Sequence, residues 1–267
     1  MKKINILVCC CVVFIFSCNS NRDNKEVKQE GFSIAGKING LHSGNIKLIS
    51  FDEESGTSAT VDSVAFTNDT FQLKGKLENP QMMSLIAEPG NLSFQLFVEN
   101  AEIHIKADTM GARYYDYSAY PGGTKGGVIN NYTVTGSKSQ DDWMQYQNNP
   151  ESKKFDAAFA QLNLALDAEK NIDKEYKIRD QIDSLRILQS LSKQNLVNDY
   201  ASKNPSSVAG IYMMHDLYQE YSEMPVTSMD SLLNKFSGAA KASIYYTTLE
   251  ADLNKRKALL PGNMAPD

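Results

Sequence analysis

With 267 residues the chain has room for one large domain or two modest ones, and enough length to bury a substantial core. Its apolar and charged fractions, 42% and 22%, are those of an ordinary globular protein. A net charge of -5 with no clustered lysine and arginine excludes a nucleic-acid footprint.

The chain begins with Lys2 and Lys3, followed by the almost wholly apolar run Ile4–Phe16 (INILVCCCVVFIF). That run is too short to cross roughly 30 Å of hydrocarbon as a helix, and it reads as the apolar region of an export signal. It leads into Ile15-Phe16-Ser17-Cys18. This stretch resembles a bacterial lipobox, with Phe16 bulkier than the usual residue there. The resemblance implies that residues 1–18 hold a lipoprotein signal and that Cys18 is acylated by a diacylglycerol thioether. A plain secretory signal with an incidental cysteine is the other reading.

All four cysteines, Cys9, Cys10, Cys11 and Cys18, lie in this leader. Acylation of Cys18 would leave the mature chain with neither thiol nor disulfide, and so without dithiol exchange or a thiolate metal site. Asn19–Glu30 (NSNRDNKEVKQE) is polar and highly charged. Residues 19–31 are therefore expected to be a disordered tether. The lipobox resemblance implies a lipid-anchored protein in the envelope of a diderm bacterium, and the lack of a dense acidic run after Cys18 favours the periplasm-facing side.

From Phe32 the pattern has period two. Phe32–Ile38, Asn45–Phe51, Ala59–Phe66 and Thr70–Leu77 alternate, and Asn68-Asp69 between the last two is a hairpin signal. Met82–Ala87, Leu92–Val98, Glu102–Ala107 and Tyr132–Gly136 follow, separated by Pro89-Gly90 and Glu99-Asn100. Short strands at close spacing predict an antiparallel β-sandwich or open barrel over residues 32–137.

Near Ser139 the period becomes helical. Ser139–Asp142 has the form of a capping box. Phe155, Ala158, Phe159, Leu162 and Leu166 make one apolar stripe, and Ile178, Ile182, Leu185, Leu188 and Leu191 a second. Asn204-Pro205 reads as an N-cap with proline at the first helical position, and Thr227–Asp230 as another capping box. A last amphipathic run extends from Ala239 to Leu260. The expected fold class is α+β: a β domain, then an α-helical domain over residues 138–258.

Side chains that could carry chemistry are scattered. His42, His104 and His215 fall in a turn, a strand and a helix, with no metal-ligand spacing among them. No G-x-S-x-G elbow occurs. Pro121–Gly127 (PGGTKGG) lacks the order of a phosphate loop and reads as a flexible loop. Catalytic, cofactor and metal residues are thus expected to be absent.

Arg113–Tyr120 (RYYDYSAY) holds four tyrosines. Arg113, Tyr114, Tyr115, Tyr117 and Tyr120 form a candidate recognition loop for a sugar, peptide or protein. The other reading is an edge strand packing its rings on the helical half. Asp62-Ser63-Val64, Asp183-Ser184-Leu185 and Asp230-Ser231-Leu232 look like an O-glycosylation tripeptide, at a frequency that chance explains.

The phrases Phe32–Gly40, Val61–Pro80 and Leu96–Ile105 together resemble a larger arrangement. It is the N-terminal domain of unknown function (DUF4369-type) that precedes a thioredoxin-like domain in many exported bacterial lipoproteins. Asp62, Ser63, Val64, Phe71, Leu73, Gly75, Leu77 and Pro80 carry its strand phrase. Val134–Ser137 resembles the passage into the family's helical linker, and Asn204–Ser207 a helix start within it.

Pro261–Asp267 (PGNMAPD) resembles the opening of TlpA-like and AhpC/TSA-type thioredoxin domains. Residues 259–267 then read as a linker, and the resemblance implies a redox domain with its own W-C-x-x-C motif beyond Asp267. On that reading this chain is no enzyme itself. It is expected to be a non-catalytic, lipid-anchored accessory region that positions, or selects protein clients for, the covalently linked domain. The alternative is a stand-alone envelope lipoprotein that binds a sugar, peptide or protein through its β-sandwich loops.

Overall fold

The structure, a computed structural model, describes residues 30–52 and 55–261. Ten strands among the described residues form one curled, mixed sheet, a half-barrel that is the open alternative of the two expected. In chain order they are β1 (Phe32–Asn39), β2 (Ser43–Asp52), β3 (Thr57–Thr67), β4 (Thr70–Gly75) and β5 (Gln81–Glu88). Then come β6 (Leu92–Val98), β7 (Glu102–Asp108), β8 (Arg113–Asp116), β9 (Lys125–Val128) and β10 (Asn131–Thr135).

Across the sheet the order is β10-β7-β1-β4-β3-β2-β5-β6-β9-β8. Most neighbours are antiparallel, but β1 runs parallel to β7 and β6 parallel to β9. Both parallel pairs join strands distant in sequence, since a tight hairpin can only make an antiparallel pair. The expected hairpin at Asn68-Asp69 forms, with φ of 56° and 64° at the two residues. Positive φ at both positions makes a turn whose twist suits the flanking strands.

Alternation puts one face of the curl into a core that includes Phe32, Ile34, Ile46, Leu48, Leu73 and Ile103. Gly36 and Gly75 are needed within it. A Cβ on Gly36 would fall on the Phe71 ring opposite, and one on Gly75 on the Phe32 ring opposite. Each glycine thus makes room for an aromatic ring on the neighbouring strand.

The helices are α1 (Lys138–Gln147), α2 (Pro150–Ala168), α3 (Ile172–Lys203), α4 (Val208–Glu220), α5 (Val226–Leu233), α6 (Gly238–Lys241) and α7 (Ile244–Ala258). Their core includes Val197, Ala201, Ile211, Met214, Leu217 and Leu249. Phe97 joins this core although it lies on β6, because Leu96 and Val98 beside it face the sheet core.

Three helix starts differ from expectation. The N-cap of α1 is Ser137, whose Oγ accepts from Gln140 N at 3.1 Å, and not Ser139. Ser139 already lies in the first turn of α1, and the Glu99 carboxylate accepts from its backbone N and Oγ as well as from Ser137 Oγ. Asn204 ends α3, and α4 starts at Ser207, whose Oγ accepts from Gly210 N. α5 starts after Pro225 without a side-chain cap, and Asp230 instead receives Lys257 Nζ at 2.7 Å.

The second apolar stripe is also shorter than expected. Ile178, Ile182 and Leu185 are half-buried, whereas Leu188 and Leu191 are exposed. α3 packs on α2 along its first part, then presents Val197 and Ala201 to the main helical core. The buried face therefore rotates along a helix of 32 residues, about 48 Å long.

Candidate interaction surfaces

The tyrosine stretch forms the last hairpin of the sheet. β8 is an edge strand paired only with β9, in the register Arg113↔Val128, Tyr114↔Gly127, Tyr115↔Gly126 and Asp116↔Lys125. Lys125–Val128 is thus strand, and only the preceding residues turn, so the expected loop over Pro121–Gly127 is corrected in its second half. The glycines explain the pairing. A Cβ on Gly126 would press on the Tyr115 hydroxyl, and one on Gly127 would crowd the Tyr114 ring. Period-two alternation could not reveal this strand because neither β8 nor β9 alternates apolar and polar residues.

Asp116 fastens the turn. Its carboxylate accepts from Ser118 N and Ser118 Oγ, at 3.0 and 2.6 Å, and pairs with Lys125 Nζ at 2.8 Å. Lys125 and then Ser118 hold this carboxyl below the usual carboxylate range. Tyr115 and Tyr117 stack at 5.3 Å between centroids. Tyr114, Tyr117 and Tyr120 are 67%, 57% and 69% exposed, and Arg113 is exposed beside them. The edge-strand reading is right about the strand, but these three rings face solvent instead of the helical half.

A second surface lies on the helical half. α3 and the turn between α4 and α5 enclose a groove of about 580 Å³, lined by Ile187, Leu191, Tyr221, Met224 and Pro225, with Arg186 and Glu223 among its polar residues. Ile187 and Leu191 are largely exposed. Lys193 pairs with Glu220 at its margin, and Tyr221 Oη donates to buried Gln189 at 2.6 Å.

Behind this margin, Tyr146 Oη is buried and finds no hydrogen-bond partner among the described residues. Burial, then the charges of Asp216 and Glu220, push its hydroxyl far above the usual tyrosine range. Burial likewise raises the Asp216 carboxyl, against the pull of Lys193.

The histidines stay apart in role. His42 is exposed and contacts Asp69 at 3.1 Å, His104 is exposed on β7, and His215 is buried against the rings of Tyr212 and Tyr245. Asp62, from the first tripeptide, accepts from Lys74 N at 2.9 Å and ties β3 to β4. The tripeptides at Asp183 and Asp230 lie within α3 and α5. Cys18 and the leader lie outside the described residues, as do residues 262–267.

Residues 32–143 match the family described as Domain of unknown function (DUF4369). The match spans the whole sheet and the start of α1. No curated protein and no solved structure matches the chain.

Proposed function

We propose that this chain is the non-catalytic, lipid-anchored accessory region of a thioredoxin-family thiol–disulfide oxidoreductase, positioning, or selecting protein clients for, a redox domain joined to it. The observation that carries the reading is the order of its parts. A DUF4369 domain at residues 32–143 is followed by helices, and then by the phrase Pro261–Asp267 that resembles the opening of a thioredoxin domain. Cys18 would supply the acyl anchor on the periplasmic side.

Chemistry supports the division of labour. Exchange needs a thiolate, and every cysteine of the chain precedes Asn19. The purified 267-residue chain is therefore expected to give no insulin-disulfide reduction above a reagent blank. Measurable reduction by the chain alone would overturn the reading.

The exposed tyrosines favour a second reading, a stand-alone envelope lipoprotein that binds a sugar, peptide or protein through the β8–β9 hairpin. Tyr114→Ser/Tyr117→Ser/Tyr120→Ser leaves the sheet core untouched. On this reading it would abolish capture of an envelope ligand that the unmodified chain retains, and unchanged capture would remove the hairpin from consideration.

A further inference from the structure

A second cleft lies directly beside the groove at Met224. Ile187, Leu191 and Gln194 line the groove from α3, and Tyr221, Met224 and Pro225 line it from the α4–α5 turn. The cleft, of about 280 Å³, is lined by Gln194, Asn195 and Asn198 of α3 and by Thr227, Ser228 and Ser231 of α5. Gln194 belongs to both. The lining advances in step on the two sides, so groove and cleft form one trough that follows α3 from 186 to 198, about 18 Å.

Its two parts offer different chemistry. The wide part, the groove of about 580 Å³, is mainly apolar, and Ile187 and Leu191 stand open in it. The narrow part has no charged residue in its lining. The side chains of Asn195, Asn198, Thr227, Ser228 and Ser231 make no hydrogen bond among the described residues, which leaves their amides and hydroxyls to a ligand. Charges at the wide end are largely paired, Arg186 with Asp183 and Lys193 with Glu220. Glu223 has no ion pair among the described residues, so the charge still open there is negative. Stacking of a sugar ring needs an open aromatic face. Tyr221, the aromatic ring in the lining, already has Lys193 Nζ 5.8 Å from its centroid and its hydroxyl tied to Gln189. An extended peptide suits the trough better. Its alternating N–H and C=O groups match amide side chains, which donate and accept together, and its side chains can meet the apolar part and the open carboxylate.

We infer that this trough binds an extended polypeptide segment of about five residues. The backbone lies along Asn195 and Asn198, a large apolar side chain rests against Ile187, Leu191 and Met224, and a neighbouring Lys or Arg meets Glu223. The inference rests on the client-selecting reading above for the source of the segment, and it gives the client a place apart from the β8–β9 hairpin. An unfolded client exposes such segments, whereas a folded one buries most of its large apolar side chains. The trough therefore selects unfolded chains.

Panning the 267-residue chain with a phage-displayed library of random peptides, about ten residues long, tests this. Retained peptides are expected to share a large apolar residue beside Lys or Arg. In fluorescence anisotropy they should bind Asn195→Ala/Asn198→Ala about tenfold more weakly, for two lost hydrogen bonds, with the circular dichroism of the protein unchanged. Glu223→Lys should shift preference by roughly threefold toward versions of the same peptides with Glu in place of the basic residue. No retained peptide, or equal binding by the parent and both variants, overturns the inference and leaves the accessory-region reading standing. That reading fails separately, on insulin reduction by the chain alone. Binding lost only in Tyr114→Ser/Tyr117→Ser/Tyr120→Ser moves the peptide to the hairpin and overturns the trough. Binding of chitotetraose that Asn195→Ala/Asn198→Ala abolishes makes the ligand a glycan and overturns the peptide.

Discussion

Gln140 joins the two halves of the molecule through one buried bond. Its Oε1 accepts from Phe97 N at 2.7 Å, while its own backbone N is capped by Ser137. Gln140→Ala leaves a buried strand amide unsatisfied and is expected to cost about 1–3 kcal/mol in urea unfolding. Tyr146→Phe should do the opposite. It removes a buried hydroxyl without a partner among the described residues, for an expected gain of about 1 kcal/mol.

Asp216 gives a pH signature at the same scale. Burial raises its folded pKa above the ordinary value, so the folded state holds this proton more tightly than the unfolded one. Its contribution is fully present below the unfolded value and is lost as pH rises through the folded one. Between about pH 4 and neutrality, the parent chain should therefore lose stability relative to Asp216→Asn. Melting temperatures of the two proteins across that range check the sign, and parallel curves would show that the carboxyl does not titrate in this way.

At the scale of elements, α2 and α3 form a hairpin whose inner face is only half-buried, while Leu164 and Ile172 near its turn are exposed. α4 is the contrast, with most of its side chains buried. Amides of residues 160–180 are expected to exchange faster than those of 208–220 in native-state hydrogen exchange, because local opening there exposes little apolar surface. Equal protection would mean that the hairpin has a further partner.

The same elements show what the sequence could and could not reveal. Eight strands were legible because alternation marks each strand that has one face in the core. Alternation names no partner, so the parallel pairs β1–β7 and β6–β9 were hidden. The hairpin β8–β9 was hidden for another reason: its tyrosines and glycines answer to each other across the strands. Helical stripes were readable, but cap positions were not. Ser139 looks as good a cap as Ser137, and only the fold shows the helix already under way at Lys138, with both serines held by Glu99 some forty residues earlier. The tyrosine stretch was found by composition, whereas the groove at Met224 joins residues of α3 to a turn some thirty residues later and has no local signal.

On the scale of the whole molecule, hydrogen bonds among the described residues tie sheet and helices at two places. Glu99 and Gln140 fasten α1 to the end of β6, and Tyr245 fastens α7 to β5. A module held this way can set the position of the end of α7 relative to the sheet. Positioning is what the proposed role requires, and it needs no reactive group in the module itself.

The most direct measurement is the intact mass and peptide map of the native polypeptide recovered from bacterial membranes. The proposed role predicts a mature N-terminus at diacylglyceryl-Cys18 and peptides beyond Asp267 that include W-C-x-x-C. An unacylated chain, or one whose last peptide ends at Asp267, would contradict it.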